Sequence, residues 1–168
     1  MTKSAEVKDP VLSAQEAEVW RELGRLVHAL PRLLEEDMLH ATRLPLTEFS
    51  VLSVLNEAPG GRLRMSEISM RTGLTPSRIT RLVTALAAKS LVAKERDGSD
   101  GRGNVTVLTE EGLACWEGAR SAHQASARRR FLDHLPEGSA PALADALRAV
   151  TAQLIPDRSC TADQERDC

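Results

Sequence analysis

Between Ala14 and about Ala41, the apolar residues Trp20, Leu23, Val27, Leu30 and Leu34 recur at steps of 3, 4, 3 and 4. That spacing predicts a long helix with a seam for helix-on-helix packing. Pro31 falls inside the run and is expected to kink or split it. Leu44-Pro45-Leu46 breaks the pattern, and Thr47 is placed to cap a short helix reaching Glu57. Phe49, Val51, Leu52, Val54 and Leu55 then face mostly inward. Ala58-Pro59-Gly60-Gly61 is a turn, and Arg64–Arg71 a second short helix. In the next turn, Thr72-Gly73-Leu74, Gly73 suits the left-handed conformation that ends many helices. A third helix runs from Thr75 to Ser90.

Farther along the chain the period changes. Leu91–Arg96 reads as a strand, and residues 97–103 are dense in Asp, Gly and Ser, the residues of turns. Asn104–Leu108 alternates, with Val105 and Val107 on one side. Together they predict a hairpin with Arg102 at its tip. A long helix follows from Thr109 to about Leu135. The last, Ala140–Leu154, is amphipathic, with Leu143, Leu147, Val150 and Leu154 at steps of 4, 3 and 4. Residues 1–13 are expected to form a loose arm and 156–168 a disordered tail. The predicted fold class is mainly α (α+β): a winged helix-turn-helix with N- and C-terminal dimerisation helices.

The third helix divides into two faces. Ile79, Leu82, Val83 and Leu86 gather on one side at about 100° per residue. Ser77, Thr80, Arg81 and Thr84 gather opposite, with Arg78 on the flank. Thr75 is a good N-cap, and Pro76 stands at the first helical position, where proline is tolerated. Two short helices joined by a tight Gly-containing turn, the second polar from its first turn, form the helix-turn-helix pattern. Such a helix suits a DNA major groove. A solvated helix face would look the same in isolation.

Composition sharpens this picture. With two Trp, two Phe and no Tyr among 168 residues, apolar burial must come from Leu, Val, Ala and Ile, which favours helices. The net charge of −2 does not announce a nucleic-acid binder. Its distribution does: Arg62–Arg102 holds nine basic and four acidic residues, a local +5 that leaves −7 elsewhere. The three cysteines, Cys115, Cys160 and Cys168, are odd in number and lack a CxxC pair, which argues against a disulfide framework or a zinc cluster. Cys115, on a helix, reads as an inert small residue, with redox sensing the alternative. His28, His40, His123 and His134 have no metal-ligand or triad spacing, and no Gly-rich phosphate loop appears. Neither an enzyme, a cofactor nor a metal is expected. Without a signal-like run in Met1–Pro10 or a segment near the ~20 apolar residues of a membrane span, the predicted location is the cytoplasm.

The chain resembles the MarR family of bacterial winged-helix repressors over roughly residues 14–155. The resemblance is carried by the Arg64–Arg71 helix, Thr75-Pro76-Ser77-Arg78-Ile79-Thr80-Arg81, Lys89-Ser90-Leu91-Val92, and Asp100-Gly101-Arg102 followed by Val107-Leu108-Thr109-Glu110-Glu111-Gly112. It implies that Arg102 enters a minor groove from the wing tip, oriented by Asp100. A surface salt bridge at a hairpin tip is the plainer alternative for that pair. Ser66, Thr75, Ser77, Arg78, Thr80 and Arg81 would meet the major groove and its phosphates, and Arg96 a phosphate or the loop. The reading lobe would span about 47–108.

Helices at about 14–41 and 109–155 would pair with a second copy through Trp20, Leu23, Val27, Leu143, Leu147, Val150 and Leu154. A homodimer would then address a near-palindromic duplex operator. Packing within a single chain is the alternative. The family's effectors, often small and phenolic or anionic, bind where the first, second and fifth helices meet the reading lobe. No ligand residue is assigned. Its peroxide-sensing branch carries a reactive Cys near the start of the first helix, and this chain has none there. A winged-helix protein-interaction module without DNA binding is the rival reading, opposed by the arginines on both helix and wing.

Overall fold

The chain runs α1 (Ala14–Thr42), α2 (Leu46–Asn56), β1 (Arg62–Arg64), α3 (Met65–Thr72), α4 (Pro76–Ala88), β2 (Val92–Arg96), β3 (Asn104–Leu108), α5 (Glu110–Arg130) and α6 (Ala140–Leu154). This order comes from a computed structural model that describes residues 11–96 and 104–154. Single 3₁₀ turns at Pro59–Gly61 and Leu132–His134 complete it. The predominantly helical winged fold expected from the sequence is present.

Local chemistry sets the helix starts. Ser13 opens α1 with a capping box: the Glu16 amide donates to Ser13 Oγ (3.3 Å) and the Ser13 amide to Glu16 Oε2 (2.7 Å). α1 then continues unbroken through Pro31, so the expected split does not occur. Pro31 lies on the exposed side, as does Val27, whose carbonyl loses its amide partner there. Thr47 is not the cap of α2. Pro45 takes that position, with φ −58°, and the first amide, of Leu46, donates to Glu35 Oε2 of α1 at 2.6 Å. A tertiary contact thus replaces the local cap. α5 ends at Arg130 rather than near Leu135, its last carbonyls tightening into the 3₁₀ turn.

The sheet is antiparallel in the order β1-β3-β2, with Arg62 opposite Val107, Val92 opposite Leu108 and Arg96 opposite Asn104. β1 was not anticipated, since three residues, Arg-Leu-Arg, are too short to show a period. Its presence makes β3 central, with a hydrogen-bonded strand on each edge. Thr106 is more deeply buried than Val105, and its hydroxyl donates to Met65 Sδ of α3 at 3.6 Å. The core gathers Val51, Leu52, Leu55, Ile68, Ile79, Val83 and Leu86, all fully buried, with Met38 arriving from α1.

Two joints fix the long helices to this lobe. Asp37 of α1 accepts hydrogen bonds from Ser126 Oγ (2.5 Å), Arg129 Nη2 (2.8 Å) and Arg130 Nε and Nη2 (both 2.9 Å) of α5. Arg130 first, then Ser126, holds its carboxyl far below the usual carboxylate range. At the other end of α5, Thr109 Oγ1 donates to the Ser90 carbonyl (2.7 Å) and accepts from the Gly112 amide (3.0 Å). A Cβ on Gly112 would lie 2.0 Å from the Leu91 carbonyl oxygen. Only glycine permits that approach.

Candidate nucleic-acid interface

Three side-chain bonds shape the turn leading into α4. Ser69 Oγ donates to the Leu74 carbonyl (2.5 Å), Thr72 Oγ1 donates to the Ile68 carbonyl (2.7 Å), and the Leu74 amide donates to Thr72 Oγ1 (3.3 Å). Gly73 between them has φ +70°, a conformation that favours glycine. Thr75 occupies the N-cap of α4 and its carbonyl accepts the Arg78 and Ile79 amides, but its hydroxyl caps nothing. That hydroxyl instead lies 3.4 Å from Ser77 Oγ.

α4 presents the two predicted faces. Ile79, Val83 and Leu86 are fully buried, while Thr75, Ser77, Arg78, Thr80 and Arg81 are exposed. The exposed threonines are not equivalent to the serine. Thr80 Oγ1 donates to the Pro76 carbonyl (3.0 Å) and Thr84 Oγ1 to the Thr80 carbonyl (2.8 Å), so their hydroxyl protons are already engaged. What Thr80 shows outward is a methyl group and an oxygen acceptor. Ser66 of α3 is exposed as well.

Two basic residues gain roles that the sequence did not suggest. Lys94 of β2 donates to Thr84 Oγ1 at 3.2 Å, joining the wing strand to α4. Its position two residues after buried Val92 was the available signal. Lys89 grips Glu48 of α2 through both carboxylate oxygens (2.8 and 2.7 Å). Glu48 is buried, so this pair anchors the end of α4 to the core. Arg62 of β1 is paired with Glu95 of β2 at 2.9 Å. Arg96 is exposed at the end of β2, opposite Asn104. Asp100 and Arg102 lie outside the described residues.

The predicted pairing residues sit apart from this surface. Trp20, Leu23, Val27, Leu147, Val150 and Leu154 are exposed, Leu143 is half-buried, and no residue of α6 is buried. Cys115 is half-buried, and its thiol pKa is raised by burial and then by Glu48, which opposes thiolate chemistry. Among the described residues, no group of His, Cys, Asp or Glu is placed to hold a metal, and no helix is long and apolar enough to cross a membrane.

The sequence profile of the MarR family matches residues 44–103. AbsC, a MarR family transcriptional regulator from Streptomyces coelicolor, is 32% identical, with 86% of this chain and 97% of AbsC covered at a TM-score of 0.76. The chain belongs to the MarR family. It is accordingly a winged-helix, DNA-binding transcriptional regulator. Sco3205, a MarR family regulator of the same organism solved in complex with DNA, is 28% identical, with 90% and 94% of the two chains covered and a TM-score of 0.81. CouR from Rhodococcus jostii RHA1, solved bound to p-coumaroyl-CoA, is 26% identical, with 83% and 96% covered and a TM-score of 0.70. Comparison with curated proteins finds no match.

Proposed function

We propose that this MarR-family protein acts in the cytoplasm as a ligand-responsive repressor, binding a near-palindromic duplex operator as a homodimer. The observation that carries the reading is the division of α4. A fully buried Ile79-Val83-Leu86 edge fixes the helix to the core, so Ser77, Arg78, Thr80 and Arg81 are presented rigidly outward. In the major groove, Arg78 and Arg81 reach guanine edges or phosphates, Ser77 donates or accepts, and Thr80 offers its methyl group and acceptor oxygen. Thr75, Ser66 and Arg96 flank that helix and meet phosphates. Arg102, oriented by Asp100, completes the contact from the wing tip in a minor groove. The DNA-bound state of Sco3205 supports this reading.

The reading lobe, about 47–108, addresses one half-site. The arms, about 14–41 and 109–155, bring a second lobe to the other half-site about one helical turn away. Support for pairing comes from the uncovered apolar residues Trp20, Val27, Leu147, Val150 and Leu154. CouR, bound to p-coumaroyl-CoA, supports an effector that is anionic and carries a phenolic ring.

Selection of binding sites from a random duplex library tests the whole reading, with two related half-sites as the expected product. On the selected operator, Arg102→Ala is expected to lose about 1–3 kcal/mol, the scale of a good groove contact, with its thermal midpoint unchanged. Normal operator binding by that variant removes Arg102 from the interface.

A further inference from the structure

The outward face of α4 carries two threonines, Thr80 and Thr84, one helical turn apart and both exposed. A threonine hydroxyl in a major groove ordinarily donates or accepts, and so fits several bases. Here both hydroxyls are engaged inside the protein. Thr80 Oγ1 donates to the Pro76 carbonyl at 3.0 Å, and Thr84 Oγ1 to the Thr80 carbonyl at 2.8 Å. Each hydroxyl has a single proton, so neither has one left for the oxygen and N7 acceptors of a base edge. The Thr84 oxygen also accepts from Lys94 Nζ of β2 at 3.2 Å. A base amine, from adenine or cytosine, would have to approach that oxygen beside an ammonium, and the like partial charges repel. Thr84 therefore offers its methyl group, and Thr80 a methyl group with an acceptor oxygen. β-Branching keeps each side chain stiff about χ1, so these methyl groups are held in place before DNA arrives. Donors for base edges come instead from Ser77, Arg78 and Arg81, all exposed on the same helix.

We propose that Thr80 and Thr84 read thymine through its C5 methyl group, which makes both of them specificity-determining residues for the operator. Among the four bases, thymine alone presents a methyl group in the major groove. Methyl-to-methyl contact removes apolar surface from water and needs no hydrogen-bond partner, which matches what these side chains have left to give. Cytosine in the same place would bring an amine and no methyl group. The inference rests on the reading above that α4 lies in a major groove, and adds the base that its middle turns select.

The test takes the operator selected from the random library and replaces its thymines, one position at a time, with deoxyuridine. That base keeps the Watson–Crick pair and lacks only the C5 methyl group. Fluorescence anisotropy with the full chain measures each affinity. At one or more positions in each half-site, deoxyuridine is expected to weaken the wild type about fourfold, the worth of one buried methyl group. Replacement in both half-sites together should cost more than about tenfold. The Thr80→Ser, Thr84→Ser double variant keeps both hydroxyls and loses both methyl groups. With wild-type circular dichroism, it is expected to bind the thymine and deoxyuridine operators equally well. Wild-type binding that ignores every deoxyuridine overturns the inference and leaves the DNA-reading role of α4 standing. Equal losses in the wild type and the double variant also overturn it, because the methyl group then acts through DNA shape. Failure to select any operator overturns this inference together with the reading beneath it.

Discussion

The winged lobe and the helical arms carry apolar stripes of the same kind, yet they end in opposite states. In α4, Ile79, Val83 and Leu86 are all 0% exposed. In the arms, Trp20 is 69% exposed, Val150 57% and Leu154 75%. Both stripes step by three and four residues, so periodicity alone does not distinguish them. What differs is the supply of partners. α2, with Val51, Leu52 and Leu55, is buried on several sides and closes the lobe from within. No residue of α6 is buried, and none in the first half of α1 is. A stripe in a sequence says that a face will be covered, and its neighbours decide by which chain. Each large apolar side chain gains about 1.5–3 kcal/mol on burial, so a run of uncovered ones is a strong drive toward association.

The comparison breaks most sharply if a core residue and an arm residue respond alike. Leu55→Ala is expected to lower unfolding free energy by about 4 kcal/mol, because the fully buried site leaves a cavity. Chemical denaturation should give the same loss at every protein concentration for that part of the unfolding curve that reports the lobe. Leu147→Glu should behave differently. Its side chain is exposed in the single chain, so the lobe should keep its fold. In a paired arm the same change strands a charge in a dry interface. Sedimentation should then show monomer, with operator affinity lower by at least about 100-fold, roughly 2.7 kcal/mol. A wild-type chain that sediments as a stable monomer at micromolar concentration sinks the pairing of the arms.

Much of this division was legible in the sequence. The bounds of β3 and α6, the order of the helices and the two faces of α4 all follow from local period and turn residues. Three features were not, and each depends on a partner distant in the chain. β1 exists because Leu63 and its neighbours pair with β3 more than forty positions later. The start of α2 at Leu46, rather than at a Thr47 cap, depends on Glu35 from another helix. Lys89 looked like one more base in a basic segment, but its charge is paired with buried Glu48 of α2. The stack of Phe49 on Trp116 and His123 was hidden likewise, since its rings come from two helices some seventy positions apart.

A smaller effect sharpens the account of the exposed face of α4. Arg78→Ala and Arg81→Ala should each weaken operator binding by about tenfold, near 1.4 kcal/mol. At least one should lower the salt slope of the binding constant by about one unit, because a phosphate contact releases counterions. Lys89→Ala, by contrast, should leave the salt slope unchanged and lower the thermal midpoint, since the Lys89 ammonium is held by both carboxylate oxygens of buried Glu48. Identical salt slopes in wild type and both arginine variants would mean that α4 does not face phosphate.

The smallest effect is expected on α5, where the lobe meets the arms. His123 is half-buried against Phe49, and burial lowers its pKa below the ordinary histidine value. Arg71, Arg120 and Glu57 lie around the opening that His123 lines, so a protonated ring would be a third cation there beside one carboxylate. The folded chain therefore takes up this proton less readily than the unfolded one. Stability from the neutral ring is fully present above the unfolded histidine pKa of about 6.5 and is lost as pH falls through the window below it. Asp37 does not mask this, because its pKa is lowered in the folded chain and its share starts to be lost only as pH falls towards the ordinary aspartate value of about 3.9. Scanning calorimetry at about pH 7.5 and 5.5 should show the wild type losing about 2 °C more than His123→Phe, which keeps the stack and removes the titrating group. Equal losses would show that the His123 ring meets water freely and takes no part in joining α5 to the lobe.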